Sequence, residues 1–153
     1  QKTAYEISLG LVGSEMCIRD RKEFRENLKK KIEKVEQIDT SILEAVPYEY
    51  ADKRDIMIEI EHPEFTSVCP RTGLPDFGIL KIKYVPDEKI VELKSLKYYL
   101  LQYRQVGIFY EHLVNKILDD LVNLLNPKEM EVIFEANVRG GIKTRVCAKY
   151  KRG

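Results

Sequence analysis

The chain has 153 residues, 44% hydrophobic and 33% charged, a balance that gives one globular domain with a core of its own and excludes a disordered chain. Lys+Arg 26 against Asp+Glu 25 leaves a formal charge of +1, which argues against a basic nucleic-acid binder whose affinity rests on phosphate neutralisation. Cys17, Cys69 and Cys147 show no CxxC spacing, so the sequence predicts reduced cytoplasmic thiols without disulfides or structural zinc, and no apolar run of about 18 residues predicts a membrane span.

Residues 1–21 read as a non-native, adapter-derived or disordered leader: no basic start and no continuous apolar core make a signal peptide of them. From Lys22, the spacing of Phe24, Leu28, Ile32, Val35 and Ile38 predicts a narrow apolar stripe on a charged helix, giving an N-terminal helical arm over 22–46 docked on the edge of a single domain over 47–153. Pro47 and the polar stretch after it predict a connector. Ile56, Ile58 and Ile60 then alternate with Met57, Glu59 and Glu61, as do Leu80, Ile82 and Tyr84 with Ile79, Lys81, Lys83 and Val85, the period of half-buried strands. Between these runs Pro63, Pro70, Gly73 and Pro75 predict a long irregular loop.

Two helices follow, one with Leu93, Leu96, Leu100 and Tyr103 on a stripe, the other with Leu113, Ile117, Leu121 and Leu124, stopped at Asn126-Pro127. Two further strand-like runs close the chain, joined at Arg139-Gly140-Gly141. Strand, strand, helix, helix, strand, strand predicts the α+β class: an antiparallel four-stranded sheet with both helices on one face.

Four clusters carry residues capable of chemistry. Cys69, in a loop rich in Pro and Gly with Asp76 seven residues on, is either a held nucleophile with a carboxyl to exchange protons or a buried small hydrophobe; spacing alone favours the second. Lys94, Ser95 and Lys97 open a helix whose free N–H groups suit an anion, or they form an ordinary exposed first turn. Glu111 is a first-turn acid or a carboxylate gripping N–H donors of a ligand. Arg139-Gly140-Gly141 is a hairpin turn, or an arginine meeting a phosphate with glycine allowing close approach.

Taken together, EFTSVCPRTGLPDFG, VELKSLKYYL, FYEH and VRGGI, in this order and spacing, resemble the NADPH-dependent 7-cyano-7-deazaguanine reductases, the nitrile reductases of queuosine biosynthesis in tRNA modification. The resemblance covers 41–153 and is to the short, single-module form. It implies the tunnelling fold, with small subunits joining their sheets into pentameric rings and two rings into a decamer, in the cytoplasm and without direct contact to nucleic acid or membrane. It further implies Cys69 as the nucleophile forming a thioimide, Asp76 as proton donor, and Val91, Glu92, Leu93, Tyr110 and Glu111 at the substrate 7-cyano-7-deazaguanine. Lys94, Ser95, Lys97, Arg139 and Gly140 fall at the NADPH contacts. Tyr110 departs from the histidine usual before that glutamate, and Val138 from the proline usual before Arg-Gly.

Two other readings stand beside this one. A pterin-type enzyme of the same fold would want three protein ligands for zinc, and the chain has only His62 and His112. An inactive ring-forming binding module would keep the fold without the chemistry.

Overall fold

A computed structural model describes residues 21–153. The leader over 1–21 lies outside the described residues apart from Arg21, and so does Cys17.

The alternating isoleucines build β2 (Ile58–Val68) and the run after them β3 (Pro75–Val85). The stretch between was expected to be irregular. Instead the pairing runs on through it, and only residues 69–74 form a turn. The prolines that misled the reading sit where a ladder tolerates them. Pro63 falls at a register shift between His62 and Phe65, and Pro75 is the first residue of its strand.

That shift matters for the site. Ahead of it Ile58, Ile60 and His62 are the half-buried residues of β2; beyond it Phe65 and Ser67 are buried, so the inward set has changed parity. In β3 the parity never changes. Tyr84, Ile82, Leu80, Gly78 and Asp76 form one inward row, and a carboxylate therefore ends a line of core side chains.

The third and fourth strands of the large sheet, β5 (Glu129–Ala136) and β6 (Arg145–Lys151), complete the order β2-β3-β5-β6, antiparallel throughout. A second, two-stranded sheet pairs β1 (Ala45–Pro47) with β4 (Lys89–Val91); β1 takes the last two residues of the stretch expected to be a helical arm and the first of the expected connector.

Helix α2 (Leu93–Leu101) runs into a 3-10 turn at Gln102–Gln105 that packs on β2, and α3 (Tyr110–Leu125) lies across β5 and β6. Leu113, Ile117 and Leu121 of α3 share one core with Leu80, Ile82 and Val132 of the sheet, so both helices cover the same face. Each such side chain, fully buried, contributes roughly 1.5–3 kcal/mol. Leu93 departs from its predicted stripe: at the first position of α2 it is exposed. Asn126 ends α3 in the left-handed conformation (φ 45°), with Pro127 behind it, as predicted. The opposite sheet face carries cross-strand ion pairs such as Lys83–Glu59 (3.6 Å) and Lys149–Glu131 (3.5 Å) in place of a second apolar layer.

Helices α2 and α3 are fastened by a buried polar chain. The hydroxyls of Tyr99 and Tyr103 are 2.9 Å apart, Tyr99 donates to Asp120 Oδ2 at 2.5 Å, and Lys116 Nζ lies 2.7 Å from the same oxygen.

The N-terminal stripe does not continue as one helix. Residues 21–30 are helical (α1), after which the chain passes through short 3-10 turns at Val35–Gln37 and Thr40–Ile42. Tertiary pairing overrides the 3.6-residue period here. The amide of Glu33 donates to the Gln105 carbonyl (2.8 Å), and the amide of Gly107 donates to the Glu33 carbonyl (3.0 Å).

Gly78 is held to glycine by its neighbours. A Cβ there would overlap the Glu135 carbonyl oxygen and the Phe134 ring, and that ring packs against Tyr110 with centroids 5.1 Å apart. Gly78→Ala is expected to destabilise the fold by about 1–3 kcal/mol through overpacking. Urea unfolding checks this, and a midpoint equal to that of the unaltered chain would show the contact to be slack.

Candidate active site

Cys69 follows β2 directly. Its amide donates to the Leu74 carbonyl (2.9 Å) and its carbonyl accepts from Gly73 (2.8 Å), which closes the turn. Gly73 takes φ +73°, and the Leu28 backbone of α1 lies 3.0 Å from where its Cβ would be. One residue earlier, Val68 donates to the Val106 carbonyl (3.1 Å) and accepts from Ile108 (3.3 Å). The segment 105–108 is thus paired to Glu33 on one side and Val68 on the other. It sets the turn carrying Cys69 against the start of α3.

Asp76 is only 5% exposed. Its charge partner comes from the 137–144 loop, where the Arg139 guanidinium donates to Asp76 Oδ1. Arg139 is aimed by a two-residue hairpin turn: its amide and carbonyl both bond Ile142 at 3.0 Å, with Gly140 (φ +58°) and Gly141 (φ +78°) at the centre. Two successive positive φ values are what a type I′ turn demands, and glycine adopts them without strain. The hairpin reading of Arg139-Gly140-Gly141 is therefore realised, together with a charged contact to a side chain of the same chain.

Tyr110, at the first position of α3, lines the pocket beside Asp76 and Arg139; burial and the Asp76 charge push its pKa up, while Arg139 opposes them. Glu111 follows in the first turn, where the helix end favours a carboxylate. Cys69, Asp76, Tyr110, Glu111, Arg139 and Thr144 line one pocket of about 280 Å³. That lies near the lower end of the volumes typical of small-molecule sites. A larger hollow of about 500 Å³ on the charged sheet face, among Lys83, Glu131 and Lys149, is lined by no cysteine.

The Cys69 thiol is tuned by its own turn. Burial alone would raise its pKa, but hydrogen bonds from the Thr72 hydroxyl and the Arg71 and Thr72 amides outweigh burial and the opposing Asp76 charge, leaving it below the usual thiol value. A larger thiolate fraction at neutral pH follows. Cys147 contrasts with it: exposed, donating to Glu131 (2.9 Å), and with a raised pKa caused by desolvation and that carboxylate.

The second sequence cluster stands apart from this pocket. Val91 ends β4, buried, with its amide donating to the Tyr84 hydroxyl (3.1 Å). Glu92 caps α2, accepting from the amides of Lys94 (2.8 Å) and Ser95 (2.7 Å), so the N–H groups expected to face an anion are already taken within the chain. Those bonds hold the Glu92 carboxyl below its usual pKa. Ser95 is buried, donating to the Glu92 carbonyl (2.7 Å) and accepting from the Glu44 amide (2.9 Å). Lys94 and Lys97 are exposed on adjoining turns, and Gly140 stands in open space at its hairpin tip. None of these residues lines the Cys69 pocket.

Sequence reasoning missed Thr72 and Thr144. Thr72 had a signal, three residues after the cysteine inside a turn-forming string; Thr144 had none. Among the described residues, no three His, Cys, Asp or Glu side chains gather as a metal-binding group, and no helix is long and apolar enough to cross a membrane.

The fold defines the class first: an α+β protein of the tunnelling-fold type. The solved structure of an archaeosine synthase QueF-Like in its apo form matches 62% of this chain and 91% of its own, with a TM-score of 0.54 at 21% identity, a likeness of fold. The family model described as QueF-like protein matches residues 75–153. The NADPH-dependent 7-cyano-7-deazaguanine reductase of Caldicellulosiruptor bescii is 61% identical over 117 residues, covering 76% of this chain and 88% of that protein. The reductase of the same name from Thermoanaerobacter pseudethanolicus is 58% identical, covering 76% and 87%. The chain belongs to the family of QueF-like NADPH-dependent 7-cyano-7-deazaguanine reductases.

Replacing Thr72 by valine removes the hydroxyl that holds the Cys69 pKa down and is expected to raise the thiol pKa. The pH dependence of alkylation by iodoacetamide at Cys69 reads this directly: the midpoint moves to higher pH, and an unmoved midpoint would contradict the role of Thr72.

Proposed function

We propose that this chain reduces the nitrile of 7-cyano-7-deazaguanine to the aminomethyl group of 7-aminomethyl-7-deazaguanine, with Cys69 as nucleophile and Asp76 as the group that moves the first proton. The observation carrying this reading is the single pocket that holds a lowered-pKa thiol beside a buried carboxylate, in a chain 61% identical to a reductase of that name.

A nitrile carbon is electrophilic but sluggish, and a thiolate is the side chain best suited to attack it. Asp76 takes the proton from Cys69, and the sulfur forms its bond to the nitrile carbon as one π pair of the C–N triple bond moves to nitrogen. Asp76 returns the same proton to that nitrogen, which gives a neutral thioimide with atoms and charge conserved. NADPH, when bound, supplies two hydride equivalents per nitrile, with two protons drawn from solvent. Between the two reductions Cys69 leaves as a thiolate. The Thr72 hydroxyl and the two turn amides that lower its pKa also make it a better leaving group. Glu111 accepts N–H groups of the deazaguanine ring, Tyr110 orients Asp76 in place of the family's histidine, and Val91, Glu92 and Leu93 contribute to the substrate side.

The exposed Lys94 and Lys97, three residues apart on α2, fit the phosphates of NADPH as paired cations. Arg139, about half exposed, offers five N–H donors and has spent one on Asp76, so a phosphate can share it, with Gly140 permitting close approach. Ser95 serves that site by holding the turn that presents the lysines. No Rossmann glycine fingerprint is present in the sequence to take over this task.

The separation of the α2 cluster from the Cys69 pocket fits a cofactor site shared between copies in a ring, with pentamers paired as a decamer. Phe77, Val138 and Ile142, all more than half exposed beside the pocket-forming loops, are suited to such contacts. The cytoplasm, with its NADPH and reduced thiols, is the compartment this reading requires.

Absorbance at the NADPH band during incubation with 7-cyano-7-deazaguanine tests the reaction: two cofactors are consumed per nitrile, and none with Cys69→Ala. Turnover by Cys69→Ala would remove the assignment. Glu111→Leu is expected to weaken substrate binding by about 2–3 kcal/mol, the scale of a lost charge-assisted hydrogen bond, and to leave NADPH affinity unchanged. Calorimetric titration with both ligands decides it, and unchanged substrate affinity would contradict the anchoring role.

A further inference from the structure

Ser67 is completely buried, and its hydroxyl has no hydrogen-bond partner. An orphaned polar atom in a core strand is costly and rare, so its position calls for a cause. It stands directly opposite Asp76 in the β2–β3 pairing. Both side chains are on the inward face of the sheet, and such cross-strand neighbours have Cβ atoms about 4.5–5.5 Å apart, within reach of one hydrogen bond.

Arg139, from the 137–144 loop, only donates to Asp76. Tyr110, from α3, lies beside both Asp76 and Arg139 in the same pocket. Cys69, from the preceding turn, is the group with which the proton is exchanged. An arginine and a thiol suit a carboxylate, whereas a carboxylic acid adds an O–H that needs an acceptor; the hydroxyls of Tyr110 and Thr144 line the same pocket from the solvent side, and Ser67 is the hydroxyl on the core side. A serine hydroxyl can accept.

We propose that Ser67 is a positioning residue for the protonated state of Asp76: its oxygen accepts the Asp76 O–H during the interval in which that carboxyl carries the proton of Cys69. The hydroxyl has no partner at rest, and its oxygen is kept for the half of the cycle in which Asp76 carries the proton. The inference rests on the reading of Asp76 as proton carrier given above. It adds a residue two positions before the nucleophile, fixed by strand register.

Infrared spectroscopy of the full chain, acidified until the carboxylic C=O band of Asp76 appears, tests it without any substrate. The carboxylic C=O band of Asp76, identified by its loss in Asp76→Asn, is expected at higher frequency in Ser67→Ala and back near its original place in Ser67→Thr, which restores the hydroxyl. In the same variants, thioimide formation from the nitrile without NADPH is expected to slow by ~10-fold or more in Ser67→Ala and to recover in Ser67→Thr. The melting temperature of Ser67→Ala should not fall, because the hydroxyl has no partner at rest. An unmoved band in Ser67→Ala overturns the proposal whatever the rate does, and so does a band that Ser67→Thr leaves displaced. Absence of a thioimide in the unaltered chain would instead refute the reaction assigned above, while the band still decides Ser67.

Discussion

The buried carboxylate of Asp76 is the constraint around which the site is arranged. It ends a row of core residues in β3, a place reserved for apolar side chains, and is bearable there only because Arg139 and Tyr110 reach it. Each partner needs its own support. Arg139 depends on two glycines with positive φ, and Tyr110 on the Phe134 ring, which in turn needs Gly78 to have no side chain. Removing one partner would leave a desolvated charge, which is more costly than the bond itself. The site and the core are therefore stabilised by the same contacts.

Cys69 is brought to that carboxylate by backbone, not by side chains. Residues 105–108 pair with Val68 on one edge and Glu33 on the other, so a short extended segment ties three distant parts of the chain. Gly107 and Gly73 allow this closeness: at the first, a Cβ would strike Ile32 and approach Pro70, and at the second, the Leu28 backbone. The turn after β2 is thereby held rigid. Its amides can point at sulfur, which is how the turn lowers the pKa of Cys69 despite partial burial.

Much of this was legible in the sequence. Period-two and period-three-to-four patterns give the four long strands and both main helices, because those elements bury one face each. What failed were the places where tertiary contacts outweigh local pattern. Pro63 signals a break, yet the register shift at His62/Phe65 absorbs it and the strand continues. The stripe from Phe24 to Ile38 signals one helix, yet pairing of Glu33 with Gln105 and Gly107 ends it early. Cys69 and Asp76 were identifiable through the family motif, whereas the partnership of Asp76 with Arg139, 63 residues away, has no local signature. At α2 the acid before the helix was visible in the sequence, and a capping reading of Glu92 would have shown that the helix amides bind within the chain.

The central claim is that one sulfur in this chain bonds covalently to the nitrile carbon. Incubation with 7-cyano-7-deazaguanine in the absence of NADPH, followed by intact mass measurement and peptide mapping, tests it most directly. The account predicts a mass gain equal to the whole substrate, located on the peptide containing Cys69 and absent from the exposed Cys147. A chain that gains no mass, or gains it at Cys147, would contradict it.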